Sequence, residues 1–192
     1  KLKITMRIAI NGFGRIGRPF FRQAFKAPDI DIVAINDLTD KATLAYLLKY
    51  DTVYGRYEKN VEAKEENGED YLSVDGQNIL SLTEREPENL PWGDLGIDVA
   101  VESTGVFESE EGGKKHIKAG AKYVVISAPA KGNVPHVLIG VNTKDLDKSN
   151  IISNASCTTN CVGPVAAIMF ENPGIEKALL TTVHGYTASQ GL

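Results

Sequence analysis

The sequence has few cysteines, one tryptophan and no long apolar run. Its two cysteines, Cys157 and Cys161, are separated by three residues among 192. Such a pair provides no disulfide framework, which favours a reducing compartment and a cytoplasmic location. It also lacks the neighbouring histidines of a metal site, so we expect no bound metal. No segment reaches the roughly 18–20 apolar residues that cross a bilayer, and we therefore expect no contact with the membrane interior.

A basic excess is also missing. The formal net charge is −4 at pH 7, which excludes the electrostatic footprint of a nucleic-acid-binding protein. Any bound phosphate group must therefore be held by a few local residues. The hydrophobic fraction of 42% is sufficient for a buried core, and the length suits one domain, or one domain and part of another.

A glycine-rich stretch stands between a strand pattern and a helix pattern near the N-terminus. The apolar strand at residues 6–11 is followed directly by Gly-Phe-Gly-Arg-Ile-Gly at 12–17, and a helix pattern continues to about residue 26. This order is the fingerprint of a dinucleotide-binding fold. Gly12 would permit the tight turn, and Gly14 would let the backbone approach a pyrophosphate at the helix N-terminus.

An acidic residue follows the second strand at the spacing this fold requires. Asp37 lies 20 residues after Gly17, at the end of a strand at 30–35. Its carboxylate could accept both hydroxyls of an adenosine ribose and would repel a 2′-phosphate. We therefore predict NAD rather than NADP as the cofactor.

The remainder of the chain alternates between strand and helix patterns. A helix is predicted at 41–50, and Asp75-Gly76 predicts a hairpin turn between strands at 71–74 and 79–82. The charged residues 62–70 suit a solvated loop or a sheet edge. Ser109 is a candidate N-cap for a helix that stops at Gly120. Further strands are predicted at 97–102, 123–126, 137–141, 151–152 and 178–183.

This alternation predicts an open, mostly parallel α/β sheet whose ligands lie beyond the carboxyl ends of its strands. Thr104, Ser127 and the loop before Cys157 all follow strand ends. Cys157 would also begin a helix, where free N–H groups and the helix dipole favour the thiolate over the thiol. Cys161, one turn further, lacks this advantage, and we expect it to be a buried structural cysteine.

A histidine downstream could serve the Cys157 sulfur. His184 follows the predicted strand at 178–183, whereas we expect structural roles for His116 and His136. A thiolate, a histidine and a nicotinamide cofactor together suit the oxidation of an aldehyde through a covalent thiohemiacetal.

Three motifs resemble those of the glyceraldehyde-3-phosphate dehydrogenase family. They are INGFGRIGR at 10–18, ASCTTNC at 155–161 and TVHGYT at 182–187. The resemblance runs in register from about Met6 to the last residue. It implies a Rossmann-type, doubly wound, mostly parallel sheet in a domain of residues 1–156. The beginning of an α+β catalytic domain, residues 157–192, would follow.

The resemblance also implies roles for individual residues. Cys157 would be the nucleophile and His184 the residue that activates it. Contacts to NAD are expected from Asn11, Gly12, Gly14, Arg15, Ile16, Asp37, Arg85, Thr104 and Ser127. Ser156, Thr158 and Thr187 would hold the substrate phosphate or the attacking inorganic phosphate.

The implied reaction is the NAD-dependent, phosphorylating oxidation of glyceraldehyde 3-phosphate to 1,3-bisphosphoglycerate in glycolysis. The full-length family forms homotetramers. By this resemblance, the sequence would correspond to the first part of the enzyme, somewhat more than half. We therefore expect the chain by itself to bind NAD weakly and to have little or no activity.

Three alternatives stay open at this point. Erythrose-4-phosphate dehydrogenase shares the motifs and the chemistry but takes a longer aldose. Aspartate-semialdehyde dehydrogenase fits the general layout without the full cysteine motif. A non-catalytic NAD-binding fragment with an inert Cys157 is the third.

Overall fold

The computed structural model describes residues 5–185. Within this range the chain forms one sheet of eight strands, four α-helices and two short 3-10 helices at Pro87–Asn89 and Thr143–Lys148. The strands are β1 (Met6–Asn11), β2 (Ile30–Asn36), β3 (Val61–Glu66), β4 (Glu69–Val74), β5 (Gln77–Leu82), β6 (Val99–Glu102), β7 (Tyr123–Ile126) and β8 (Ile151–Ser153). The helices are α1 (Gly17–Ala24), α2 (Lys41–Lys49), α3 (Glu110–Lys118) and α4 (Cys157–Glu171).

The order of strands across the sheet is β3-β4-β5-β2-β1-β6-β7-β8. Strands β5, β2, β1, β6, β7 and β8 pair in parallel, and β3 and β4 add an antiparallel hairpin at one edge. This confirms the predicted Rossmann-type α/β sheet. The carboxyl ends of β1, β2 and β6 are in register, because Asn11 pairs with both Asn36 and Glu102.

One face of the sheet packs against α1 and α2. Phe21 of α1 and Leu48 of α2 are fully buried against isoleucines of β1 and β2. The ring of Phe21 also meets Phe13 of the glycine loop edge-on, with ring centroids 5.5 Å apart. This burial fixes the start of α1 against the end of β1.

The opposite face packs against α3 and the segment before β6. Alanines on β1, β2 and β6 form a shallow surface there, and Trp92 fills the space above them. Ser109 caps α3, as predicted, by accepting a hydrogen bond from the Gly112 N–H at 3.1 Å. The helix lies beside the carboxyl end of β6, because its His116 side chain meets Glu102, the last residue of that strand, at 3.0 Å.

The predicted hairpin is present between β4 and β5. Asp75 and Gly76 have φ angles of +49° and +85°, as a tight two-residue turn requires. The charged run 62–70 covers most of the β3 edge strand, the following turn and the first two residues of β4, so it is a sheet edge rather than a loop. Its charged side chains are compatible with a strand because the edge faces water.

Two predicted strands are absent. Residues 137–141 turn back at Gly140, where φ is +79°, and the Leu138 N–H donates to the Asn142 side chain rather than to a strand. Contact with β8 is limited to the start of the segment, where His136 forms an isolated bridge to Ser153 and the Val137 N–H donates to the Ser153 carbonyl at 2.9 Å. Residues 178–183 are exposed and pair with no strand in the described part of the chain, so this prediction was wrong.

A broad apolar groove lies over β1, β6, β7 and β8, beside α1. Its volume is about 820 Å³, and its walls include Ile8, Phe20, Val101, Val125 and Ile152. The groove continues the face that α1 covers over β1 and β2. None of the helices within residues 5–185 combines the length and apolar character needed to cross a membrane.

Candidate active site

The glycine loop forms one wall of a cleft at the carboxyl ends of β1, β2 and β6. The cleft has a volume of about 290 Å³. Gly12 adopts a φ of +91°, and its backbone lies directly against Ser103 and Thr104, the residues that follow β6. The Ser103 hydroxyl donates to the Gly12 carbonyl at 2.7 Å and closes this contact. Gly14 also lines the cleft, and no atom lies within 4 Å of the position that a Cβ would take there.

Asp37, which follows β2, also lines the cleft. Its carboxylate accepts hydrogen bonds from the backbone N–H groups of Phe13 and Thr39, at 2.8 and 2.9 Å. The two bonds tie the end of β2 to the glycine loop. Because a carboxylate has about four acceptor positions, Asp37 keeps capacity for a further donor, such as a ribose hydroxyl. Arg85 and Thr104 line the same cleft.

Three further candidate residues lie outside the lining of this cleft. The Arg15 side chain forms an ion pair with Asp51 and lies over the ring of Tyr54. Ile16 is 55% exposed at the start of α1 and lines the apolar groove. Ser127 lines that groove as well, and its hydroxyl donates to the Glu102 carbonyl at 3.0 Å.

Charged groups beside the glycine loop have displaced pKa values. The Tyr54 N–H and the Arg15 guanidinium hold the pKa of Asp51 well below its ordinary value. Burial lowers the pKa of Arg18, and the neighbouring Arg15 lowers it further. The Arg18 guanidinium donates to the Phe13 carbonyl at 2.7 Å. These groups therefore fix the far side of the loop, away from the cleft.

A row of buried polar side chains lies beneath the cleft. The Asn36 amide donates to Asn11 at 2.7 Å, and the Asn11 amide donates to the Glu102 carboxylate at 2.6 Å. His116 of α3 meets the same carboxylate at 3.0 Å and accepts the Trp92 indole N–H. Asn11 is 1% exposed and forms part of the floor of the cleft, where its side chain is held by Glu102 and Asn36.

Cys157 is the first residue of α4, and α4 follows the carboxyl end of β8 through the loop 154–156. Ser156 caps this helix, because its hydroxyl accepts the Thr159 N–H at 2.9 Å. Both Cys157 and Cys161 are free and exposed. The expected burial of Cys161 was wrong, because the described residues leave α4 without a covering layer.

His184 is brought to the start of α4. Its Nε2 lies 2.8 Å from the hydroxyl of Thr158, the residue next to Cys157. Within residues 5–185 the hydrogen bond of His184 therefore goes to Thr158 rather than to the Cys157 thiol. Thr187 lies outside the described residues.

The structure thus forms two neighbourhoods at the carboxyl edge of the sheet. Cys157, Ser156, Thr158 and His184 gather at the start of α4, while the glycine loop, Asp37, Arg85 and Thr104 surround the cleft. No residue of the first group lines the cleft. Within the described range, no three His, Cys, Asp or Glu side chains are grouped so that they could hold a metal ion.

Sequence reasoning missed Glu102 and Asn36 and assigned His116 only a structural role. Glu102 and His116 are 1% and 0% exposed, and their contact joins residues 14 positions apart. One signal was available, because Glu102 is an acidic residue at the end of an otherwise apolar strand. A charged residue buried at such a position is paired in a folded protein.

A parallel sheet with a glycine loop after β1 and an acid after β2 defines a dinucleotide-binding protein of the Rossmann type. The residues present fit such a cofactor, because Gly14 leaves room for close approach and Asp37 retains acceptor capacity.

Comparison with known proteins specifies the family. Residues 6–110 match the family described as "Glyceraldehyde 3-phosphate dehydrogenase, NAD binding domain", and residues 156–192 match "Glyceraldehyde 3-phosphate dehydrogenase, C-terminal domain". The chain therefore belongs to the glyceraldehyde-3-phosphate dehydrogenase family. The first of these matches confirms NAD as the cofactor predicted from the sequence.

Similar proteins from bacteria carry the same family name. The chain is 52% identical over 190 residues to glyceraldehyde-3-phosphate dehydrogenase from Streptomyces coelicolor and 51% identical over 189 residues to that from Geobacillus stearothermophilus. Glyceraldehyde-3-phosphate dehydrogenase A from Escherichia coli is 49% identical over 187 residues. Each alignment covers 97% of this chain and 55% of the relative, so the chain spans about half the length of the curated relatives it matches.

Proposed function

We propose that this chain forms the NAD-binding part and the start of the catalytic domain of a phosphorylating glyceraldehyde-3-phosphate dehydrogenase. The observation that carries the proposal is the position of Cys157. It presents a free, exposed thiol in the first turn of α4, at the sheet edge that also bears the glycine loop. The proposed domain boundary is at residue 156, which caps α4.

The chemistry begins at the sulfur of Cys157. The unpaired N–H groups of the first helical turn stabilise its thiolate, which attacks the aldehyde carbon and forms a thiohemiacetal. The Cys157 N–H and His184 stabilise the oxyanion, and a proton delivered through His184 converts it into the hydroxyl of the thiohemiacetal. His184 then accepts the hydroxyl proton while the carbon loses a hydride and becomes a thioester. Bound NAD supplies the acceptor for that hydride.

The second half of the reaction releases the acyl group. Inorganic phosphate attacks the thioester carbon, and the Cys157 thiolate leaves with the electron pair of the carbon–sulfur bond. The product is 1,3-bisphosphoglycerate, as glycolysis requires. Ser156, Thr158 and Thr187 are proposed to hold the substrate phosphate or the attacking phosphate with their hydroxyl groups. On the cofactor side, Arg15, Ile16 and Ser127 are proposed to join Gly12, Gly14, Asp37, Arg85 and Thr104 around NAD, with Asn11 beneath them in the floor of the cleft.

The rest of the enzyme is proposed to cover the apolar groove over β1 and β6–β8 and the exposed side of α4. Val165, Ile168 and Phe170 of α4 are 59–73% exposed, which is unusual for apolar residues of a stable domain. We therefore propose that the full-length enzyme is a homotetramer and that the chain alone has little activity. A cytoplasmic location is also proposed, because the two free cysteines suit a reducing compartment.

A direct test measures NADH formation by the purified chain with glyceraldehyde 3-phosphate, NAD and phosphate. Cys157→Ser and Cys161→Ser form a matched pair, since both thiols are exposed on the same helix. We expect NAD binding by all three proteins and, at most, slow turnover that Cys157→Ser abolishes and Cys161→Ser preserves. Turnover at a family-like rate would contradict the proposed need for the rest of the enzyme. Loss of NAD binding in Cys157→Ser would contradict the division into two domains.

A second candidate function is a non-catalytic NAD-binding fragment. It is favoured by one observation, the hydrogen bond of His184 to Thr158 rather than to the Cys157 thiol. The rate of alkylation by iodoacetamide separates the two. Faster, pH-dependent reaction of Cys157 than of Cys161 supports the enzyme, and equal, pH-indifferent rates support the fragment. Comparison of glyceraldehyde 3-phosphate with erythrose 4-phosphate decides between the two sugar substrates.

A further inference from the structure

The Glu102 carboxylate is a buried acceptor with four donors. Its Oε1 accepts the backbone N–H and the hydroxyl of Thr104, at 2.7 and 2.5 Å. Its Oε2 accepts the Asn11 amide at 2.6 Å and meets His116 Nε2 at 3.0 Å. With 1% of its surface exposed, Glu102 has no access to water as a substitute partner. The carboxylate therefore satisfies its full acceptor capacity within the protein.

The orientation of His116 is fixed from the other side. The Trp92 indole N–H donates to His116 Nδ1 at 3.0 Å, and an indole can only donate. Nδ1 of the neutral imidazole must therefore accept, which leaves the proton on Nε2, facing Glu102. His116 is fully buried between these two groups. The chain from Trp92 through His116 thus determines where the Glu102 carboxylate lies.

The groups that Glu102 holds form two parts of the cleft wall. Thr104 lines the cleft, and its backbone N lies 2.5 Å from the place where a Gly12 Cβ would be. Asn11 immediately precedes Gly12, and it receives the Asn36 amide from β2. A shift of the carboxylate would therefore move Thr104 and the start of the glycine loop relative to each other.

We propose that Glu102 and His116 are positioning residues for the cofactor: through Asn11 and Thr104 they hold the glycine loop and the end of β6 at the separation that NAD requires. This inference rests on the proposed function, because it concerns the same cleft. Neither side chain contacts the cofactor in this proposal, and both act through their hydrogen-bond partners.

The test reverses one hydrogen bond and then restores it. In Glu102→Gln, an NH2 group replaces one carboxylate oxygen. Placed at Oε2, this donor faces two other donors, the Asn11 amide and the His116 N–H, so those hydrogen bonds are lost. In the double variant Asn11→Asp with Glu102→Gln, the amide of residue 102 donates to the carboxylate of residue 11. One oxygen of the new carboxylate keeps the hydrogen bond from the Asn36 amide. The other takes the place of Asn11 Nδ2, which lies 3.5 Å from His116 Nε2 in the wild-type chain. The double variant keeps the net charge of the wild-type chain.

The measurements are the Kd for NAD by calorimetry and the unfolding midpoint in urea. The matched control is Glu88→Gln, the same change at a residue that pairs with Lys118 at the surface. We expect Glu102→Gln to raise the Kd by about tenfold or more, equivalent to 1.4 kcal/mol. We expect Asn11→Asp alone to do the same, the double variant to return to within about threefold of wild type, and Glu88→Gln to match wild type.

The outcomes separate this inference from the proposed function. If the wild-type chain binds no NAD, the proposed function fails and the inference fails with it. If the wild type binds NAD and Glu102→Gln binds it equally well, only the inference fails, even where the variant is less stable. If Glu102→Gln does not fold, the double variant decides. A double variant that is unfolded, or whose Kd for NAD is tenfold higher than that of wild type, overturns the inference.

Discussion

Alanine substitutions at two glycines of the same loop, Gly12 and Gly14, should have different effects: the first on the stability of the fold and the second on NAD binding. An alanine Cβ at Gly12 would lie 2.5–2.7 Å from backbone atoms of Ser103 and Thr104, and the residue has a φ of +91°. The left-handed conformation costs about 1–2 kcal/mol for a residue with a Cβ. Overlap with neighbouring atoms adds about 1–3 kcal/mol, so Gly12→Ala is expected to lower the free energy of unfolding by about 2–5 kcal/mol.

Alanine at Gly14 should leave the stability of the fold almost unchanged and weaken NAD binding. A Cβ there meets no atom within 4 Å, so we expect a change in the free energy of unfolding below about 0.5 kcal/mol. The new methyl group would instead occupy the cleft where the backbone approaches the pyrophosphate. We therefore expect Gly14→Ala to raise the Kd for NAD by about tenfold or more.

Both variants are assayed in the same two experiments, urea unfolding without cofactor and calorimetric titration with NAD. The expected pattern is a destabilised Gly12→Ala and a stable Gly14→Ala that binds poorly. A Gly14→Ala variant that unfolds as easily as Gly12→Ala would refute the geometry of the loop. A stable Gly14→Ala variant with wild-type affinity would refute the assignment of the cleft to NAD.

Three further predictions concern stability. Asp51→Asn removes a carboxylate whose pKa is lowered in the folded protein. Such a group stabilises the fold above about pH 4, and this effect is lost as pH falls. The free energy of unfolding in urea should therefore be higher for wild type than for the variant, by an amount that is constant near neutral pH and decreases in acid. A constant difference down to about pH 2 would contradict it. Ser109→Ala removes the cap of α3 and should cost about 1 kcal/mol in urea unfolding, whereas Ser109→Asp should retain the stability. Leu48→Ala should cost about 2–5 kcal/mol, and Leu47→Ala on the same helix clearly less, because Leu48 is fully buried and Leu47 is not; equal costs would contradict the packing of α2.

Local signals predicted most of the sheet. The glycine loop, the Asp75-Gly76 turn and the Ser109 cap each depend on residues adjacent in sequence, and each is present. The failures at 137–141 and 178–183 have one cause, since a strand exists only where another strand pairs with it. Gly140 turns the first segment away, and no strand of the described range meets the second.

In the candidate site, too, the features set by neighbouring residues were predictable and the contacts between distant residues were not. The spacing of the glycines and Asp37 is readable in the sequence because β1, α1 and β2 follow one another directly. The contact of Asn11 with Glu102 joins residues 91 positions apart, and it arises only from the pairing of β1 with β6. The sequence motif therefore indicates the residues that surround the cofactor but not those that hold them in place.

The two edges of the sheet have a consequence for how this protein associates. At one edge, β3 exposes Glu62, Lys64 and Glu66, and at the other β8 is only three residues long and is bridged by His136. Charged or short edges oppose the addition of a foreign strand. Copies of this chain should therefore resist the strand-by-strand growth that leads to fibrils, and contacts between copies should form through the faces of the sheet instead.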